Sequence, residues 1–228
     1  MKIVKNIFFT LLLLGFLTPF LVLGYFLVGE EYDISSLKNY KPSLTTRFYD
    51  KNGEKIANIF ENEHRYYAEF GEIPPRIIEA LLAIEDTTFF EHPGINVDAI
   101  FRAIIKDIKA GKLVEGASTI TQQLVKNRLL TREKKLSRKI KELIYSLKLE
   151  LSLSKEEILY LYLNQIFLGH GAYGVQAAAE NYFDKNVDEL TLAECAILAG
   201  LPQAPSRYSP YSHLDRAKRR QRYQVPGR

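Results

Sequence analysis

Ten residues, Glu85-Asp86-Thr87-Thr88-Phe89-Phe90-Glu91-His92-Pro93-Gly94, concentrate carboxylate, aromatic, imidazole and turn chemistry in one stretch. They follow an apolar segment in which Ile77, Ile78, Leu81, Leu82 and Ile84 recur at helical spacing. A carboxylate ending such a helix loses part of its hydration, and its pKa rises toward the range useful for proton transfer. Glu85 is therefore a candidate acid or base. His92, between Glu91 and Pro93, is better suited to structural hydrogen bonding than to catalysis. The four histidines show no metal-ligand spacing.

A second cluster lies at Gly116-Ala117-Ser118-Thr119-Ile120-Thr121-Gln122-Gln123-Leu124-Val125-Lys126-Asn127. Thr119 and Gln122 fit a helix capping box. Ser118, Gln123, Lys126 and Asn127 are surplus to the cap, and they stand after a glycine loop at a helix N-terminus, an arrangement that suits a sugar carrying a phosphate. A third cluster sits on a long helix expected from about 132 to 153. There Leu136, Ile140, Leu143, Ile144, Leu147 and Leu151 share one face, while Lys135, Arg138, Lys139 and Glu142 share the opposite one. The polar face reads either as a solvated surface tied by Arg138 and Glu142, or as an anion site in which Arg138 and Lys139 grip phosphate. Residues 102 to 148 hold 13 Lys or Arg against 4 Asp or Glu, although the whole chain carries only +4. By charge alone this segment could meet nucleic acid, but beside a membrane it meets anionic head groups and lipid phosphates.

The elements that position these clusters are mainly helical. Thr45 to Tyr49 and Lys55 to Phe60 flank Asp50-Lys51-Asn52-Gly53, whose Asn-Gly pair predicts a tight hairpin. Asn96 can cap a helix whose Val97, Ile100, Phe101, Ile104, Ile105 and Ile108 form an amphipathic stripe. Residues 110 to 118 predict a flexible loop, a possible lid. Further helices are expected from about 119 to 130, after the capping box at Ser154 and Glu157, at about 175 to 183, and at about 191 to 200. Cys195, the single cysteine, falls in an apolar run and reads as a small core residue. From Ile7 to Val28 there are 22 residues without a charge, long enough to cross a bilayer core of about 30 Å. Lys2 and Lys5 before it, and Glu30, Glu31 and Asp33 after it, place the tail in the cytoplasm and the rest outside.

Five ordered motifs resemble the peptidoglycan glycosyltransferases, found as single-domain enzymes and as the N-terminal domain of class A penicillin-binding proteins. They are Glu85-Asp86-Thr87-Thr88-Phe89 with His92 and Gly94; Gly116 with Ser118-Thr119, Thr121-Gln122-Gln123 and Lys126-Asn127; Arg138-Lys139 with Glu142; Ile158-Leu159 with Tyr162-Leu163-Asn164; and the run from Ala199 to Ser206. The resemblance implies a lysozyme-like, two-lobed helical domain over 45–212 that polymerises lipid II into β-1,4-linked glycan. A tail at 1–6, an anchor at 7–28, a linker at 29–44 and a basic linker at 213–228 toward a missing transpeptidase domain complete the expected organisation. Ser35-Ser36-Leu37-Lys38 matches a penicillin-reactive pattern by chance, with no Lys-Thr-Gly partner.

By the same resemblance Glu85 and Glu142 are catalytic. Ser118, Thr119, Gln122, Gln123, Lys126, Asn127, Arg138 and Lys139 bind substrate, and Asp86, Phe89, His92, Gly94, Gly116 and Asn164 brace the site. No cofactor is obligatory; Mg²⁺ or Mn²⁺ at Glu142 is an option. The implied partners are lipid II, the growing strand, the membrane and a moenomycin-type inhibitor, without nucleic acid, and the implied location is the inner membrane with the catalytic domain outside. A peptidoglycan-cleaving hydrolase and a non-catalytic lipid II-binding scaffold are the competing readings.

Overall fold

The computed structural model describes residues 44–60, 63–112, 116–130 and 135–222, with Asn6, Phe9, Thr10, Leu13, Gly15, Leu17, Thr18 and Gly24 near the start. Most of the expected anchor and linker, and residues 223–228, lie outside the described residues. No helix among the described residues is long and apolar enough to cross a membrane.

The expected hairpin is present. Strands β1 (Thr46–Tyr49) and β2 (Lys55–Ile59) pair antiparallel, with a register shift between Phe48 and Tyr49. The Asp50 carboxylate accepts from the main-chain N–H groups of Asn52 and Glu54, and Gly53 takes a positive φ, so the turn is closed by side chain and backbone together. A second sheet was not foreseen. It has the order β3 (His64–Arg65), β5 (Ala172–Tyr173), β4 (Phe167–Gly169), with β3 parallel and β4 antiparallel to β5. Two- and three-residue strands carry no alternation a sequence could display.

The rest is helical. Helix α1 (Pro75–Glu85) opens on Pro75, whose missing N–H costs nothing in the first turn. Helices α2 (Val97–Ala110), α3 (Ile120–Arg128), α4 (Lys135–Ser152), α5 (Lys155–Gln165), α6 (Val175–Phe183), α7 (Leu192–Ala199), the one-turn α8 (Pro205–Tyr208) and α9 (Leu214–Arg222) follow. Reciprocal capping boxes start α3 at Thr119, α5 at Ser154 and α7 at Thr191.

Helix α5 is the centre of the core. Ile158, Leu159 and every residue from Leu161 to Gln165 are buried, with Leu81, Leu124, Leu149 and Leu198 among the buried residues of the same cluster. Asn164 ties α5 to the approach of the second sheet. Its amide exchanges two hydrogen bonds with the main chain of Ala68, and its carbonyl accepts from the fully buried Arg65. Gly174, at φ 87°, passes so close that a Cβ there would lie 2.7 Å from the Asn164 carbonyl oxygen. That neighbour is backbone and cannot move aside. Cys195 is buried, as its apolar surroundings predict.

Two faces differ from expectation. In α4 the buried residues are Lys141, Glu142, Ile144, Tyr145, Ser146 and Leu149, while Leu151 of the expected apolar stripe is 88% exposed. In α2 only Ala103 is buried, and the stripe of Val97, Phe101, Ile104, Ile105 and Ile108 faces outward. Helix α9 also falls in what the sequence presents as linker. It packs on α7 through the buried Ala217, the Arg220 guanidinium donating to the Gly200 carbonyl, and the Gln221 amide donating to that of Ala193.

Candidate active site

Helical periodicity explains why Glu85 is half-buried. Ile77, Leu81 and Glu85 stand four residues apart, so they share one face of α1, and Ile77 and Leu81 are fully buried. Glu85 thus ends the helix on its inward side. Burial raises its pKa; the hydrogen bond from Gln123 and the charges of Arg220 and Lys126 partly oppose the rise, and Asp86 adds to it. The Gln123 amide nitrogen donates to Glu85 Oε2 at 2.7 Å. Gln123 and Lys126 lie three residues apart on α3, so one face of that helix serves the carboxylate.

Asp86 turns the other way. Its carboxylate accepts from His92 Nε2 at 2.9 and 3.0 Å and from the main-chain N–H of Ile120 at 3.0 Å, at the start of α3. Gly94 N–H donates to His92 Nδ1, so the ring proton sits on Nε2 and points at Asp86. Phe89 is buried beneath this loop. Gly94 takes φ 86°, and a Cβ there would lie 2.8 Å from Glu150 Cγ and 3.0 Å from the Ser146 carbonyl. Asp86, Phe89, His92, Gly94 and Asn164 are thus each held by contacts within the fold. Gly116 has open space around it, since a Cβ there would meet nothing within 4 Å.

A cavity of about 280 Å³ opens beside Glu85 and Asp86, lined also by Asn96, Arg102, Ser118 and Thr119. Lys139 reaches Ser118 at its rim, donating at 3.2 Å, and forms an ion pair with Glu142. Glu142 is 3% exposed, so this partner neutralises an otherwise buried charge. The pair replaces the expected tie between Arg138 and Glu142. Lys126 and Asn127 are exposed, and Arg138 is half-buried.

Thr119 and Gln122 form the capping box that the sequence predicts. Both are buried and engaged in the cap of α3, where Thr119 also donates to the Gly94 carbonyl. Thr119 thus holds the helix start while lining the cavity beside Glu85. A divalent ion at Glu142 does not fit the residues present. The carboxylate is already paired with Lys139, and among the described residues no group of three His, Cys, Asp or Glu stands close enough to hold a metal.

Two further cations stand by the site. Arg102 lines the cavity from α2, and Arg220 acts on Glu85 from α9. Both lie in basic stretches visible in the sequence, but their approach to Glu85 is a tertiary fact.

Residues 52–226 match the family model described as Transglycosylase, and the chain belongs to that family. It is 43% identical over 221 residues to penicillin-binding protein 1F of Bacillus subtilis, covering 96% of this chain and 31% of that protein. It is 47% identical over 188 residues to penicillin-binding protein 1A of Aquifex aeolicus, covering 82% of this chain and 26% of that protein. The chain thus spans about a third or less of these relatives. The crystal structure of penicillin-binding protein 1A from Haemophilus influenzae is 29% identical, with a TM-score of 0.44 over 80% of this chain and 18% of that one.

Proposed function

We propose that this chain is a peptidoglycan glycosyltransferase that polymerises lipid II, with Glu85 as general base. The observation that carries the reading is Glu85 itself, a desolvated carboxylate on a cavity wall, fixed by Gln123 and backed by cations. Membership of the transglycosylase family and the penicillin-binding relatives support the substrate class.

The chemistry follows from the groups available. The acceptor 4-hydroxyl of lipid II attacks the anomeric carbon of the growing strand, forming a carbon–oxygen bond on the face opposite the leaving group, so configuration inverts. Glu85 takes the hydroxyl proton as that bond forms. The bond between the anomeric carbon and the lipid pyrophosphate breaks, and the pyrophosphate leaves with the electron pair. Fixed cations near the growing negative charge lower the barrier, the task assigned to Lys126, Arg138 and Lys139. Glu142 holds Lys139 in place for that task. Ser118, Gln123 and Asn127 orient sugar and phosphate.

A lysozyme-like two-lobed arrangement is the fold this reading entails. The catalytic domain stands outside the inner membrane, anchored through 7–28, and the exposed stripe of α2 rests on the bilayer where the lipid tail of the substrate stays. A moenomycin-type phosphoglycolipid competes for the same cleft.

The test is incubation of the chain with labelled lipid II in detergent, with and without chelator, followed by gel separation. A ladder of lengthening glycan in both supports the reading. Unreacted lipid II, or cleavage of preformed glycan instead, overturns it.

A further inference from the structure

A glutamine amide has two ends of nearly the same size and opposite hydrogen-bonding character, and neighbours decide which end faces which. The nitrogen of Gln123 faces Glu85 at 2.7 Å; its oxygen lies 3.4 Å from the Tyr162 hydroxyl, in donor geometry. Tyr162 is 1% exposed and rises from the middle of α5, the most buried helix of the fold. Burial and the nearby charges of Glu85 and Asp86 push its ionisation well up, so the phenol keeps its proton and acts as a donor. That donor matches the end of the Gln123 amide which the hydrogen bond to Glu85 turns toward it, the oxygen.

The orientation matters to Glu85. An amide N–H donated to a carboxylate favours the ionised form, whereas an amide oxygen turned to it favours the protonated form. We infer that Tyr162 is a positioning residue, whose hydroxyl holds the Gln123 amide nitrogen toward Glu85 and thereby sets the pH at which Glu85 becomes a competent base. The other charged groups acting on Glu85 are Asp86 beside it, Lys126 from α3 and Arg220 from α9. The consequence for catalysis rests on the reading of Glu85 as base; the effect on its protonation does not.

Tyr162→Phe keeps the ring and deletes the hydroxyl. Protonation of Glu85 is followed by infrared titration of carboxyl bands assigned by their loss in Glu85→Gln, alongside the pH profile of lipid II polymerisation. In Tyr162→Phe the Glu85 midpoint moves to higher pH. Turnover on the acidic limb falls about threefold to tenfold, recovers at higher pH, and KM is unchanged. In a Gln123→Ala background the Tyr162→Phe change no longer moves the midpoint, because the amide it acts through is gone. A midpoint unchanged in Tyr162→Phe, or one that moves equally in the Gln123→Ala background, overturns the inference. A midpoint that shifts while neither protein makes polymer sustains it and instead refutes the proposed function.

Discussion

The Lys155 ammonium donates to the main-chain carbonyl of His92 across 2.7 Å, joining the first turn of α5 to the loop that follows Glu85. The same ammonium pairs with Glu150 at 2.8 Å and lies 4.4 Å from the centre of the Phe89 ring. Glu150 in turn accepts from the Thr121 hydroxyl. One side chain thus links the loop, α3, α4 and α5.

Lys155→Met removes the cation and leaves Glu150, whose side chain is 8% exposed, without it. Loss of one partner of a buried pair costs about 3–5 kcal/mol, and the partial exposure of Lys155 sets the expectation near the lower value. Urea unfolding measures it, with a lowered midpoint and an unchanged slope expected.

Glu85→Gln is expected to stabilise the fold while abolishing activity. Burial holds the Glu85 pKa above its unfolded value, so the stabilisation associated with its proton is fully present below the ordinary carboxylate range and is lost as pH rises through the folded pKa. A neutral glutamine avoids that loss. Thermal melting should show the variant above the parent near pH 7.5, with the gap closing toward pH 4.

Gly94→Ala should destabilise the loop after Glu85. The positive φ alone costs about 1–3 kcal/mol for a residue with a side chain, and the Ser146 carbonyl cannot retreat to admit a Cβ. Circular dichroism melting checks the cost; a loss under about 0.5 kcal/mol, the usual range for a neutral surface change, contradicts it.

Lys139→Met strips the partner from a buried Glu142 and removes a cation from the cavity rim. Turnover should fall about 100-fold, with Lys139→Arg between variant and parent. If Lys139→Met changes only KM, Lys139 binds the ground state and makes no special contribution at the transition state.

Much of this was legible in the sequence because local pattern and fold agree. The spacing of Ile77, Leu81 and Glu85 fixes the inward end of α1, and the residues Thr119 and Gln122 announce the start of α3. What stayed hidden depends on approach between distant segments. The apolar stripe of α2 is plain, but only the structure shows that it faces outward. On α4 the apolar residues suggest one buried face, whereas Glu142 and Ser146 are drawn inside by the site and Leu151 is left outside. Arg102 and Arg220 look like ordinary surface cations until the fold sets them around Glu85.

The central claim is that Glu85 removes the acceptor proton during polymerisation. The most direct measurement is the initial rate of glycan formation from labelled lipid II, across pH, for the parent chain and Glu85→Gln. The parent rate should rise with pH as a single carboxylate ionises, and the variant should run about 10²–10⁴-fold slower without that rise. A Glu85→Gln rate close to the parent's, with the same pH dependence, would contradict the account.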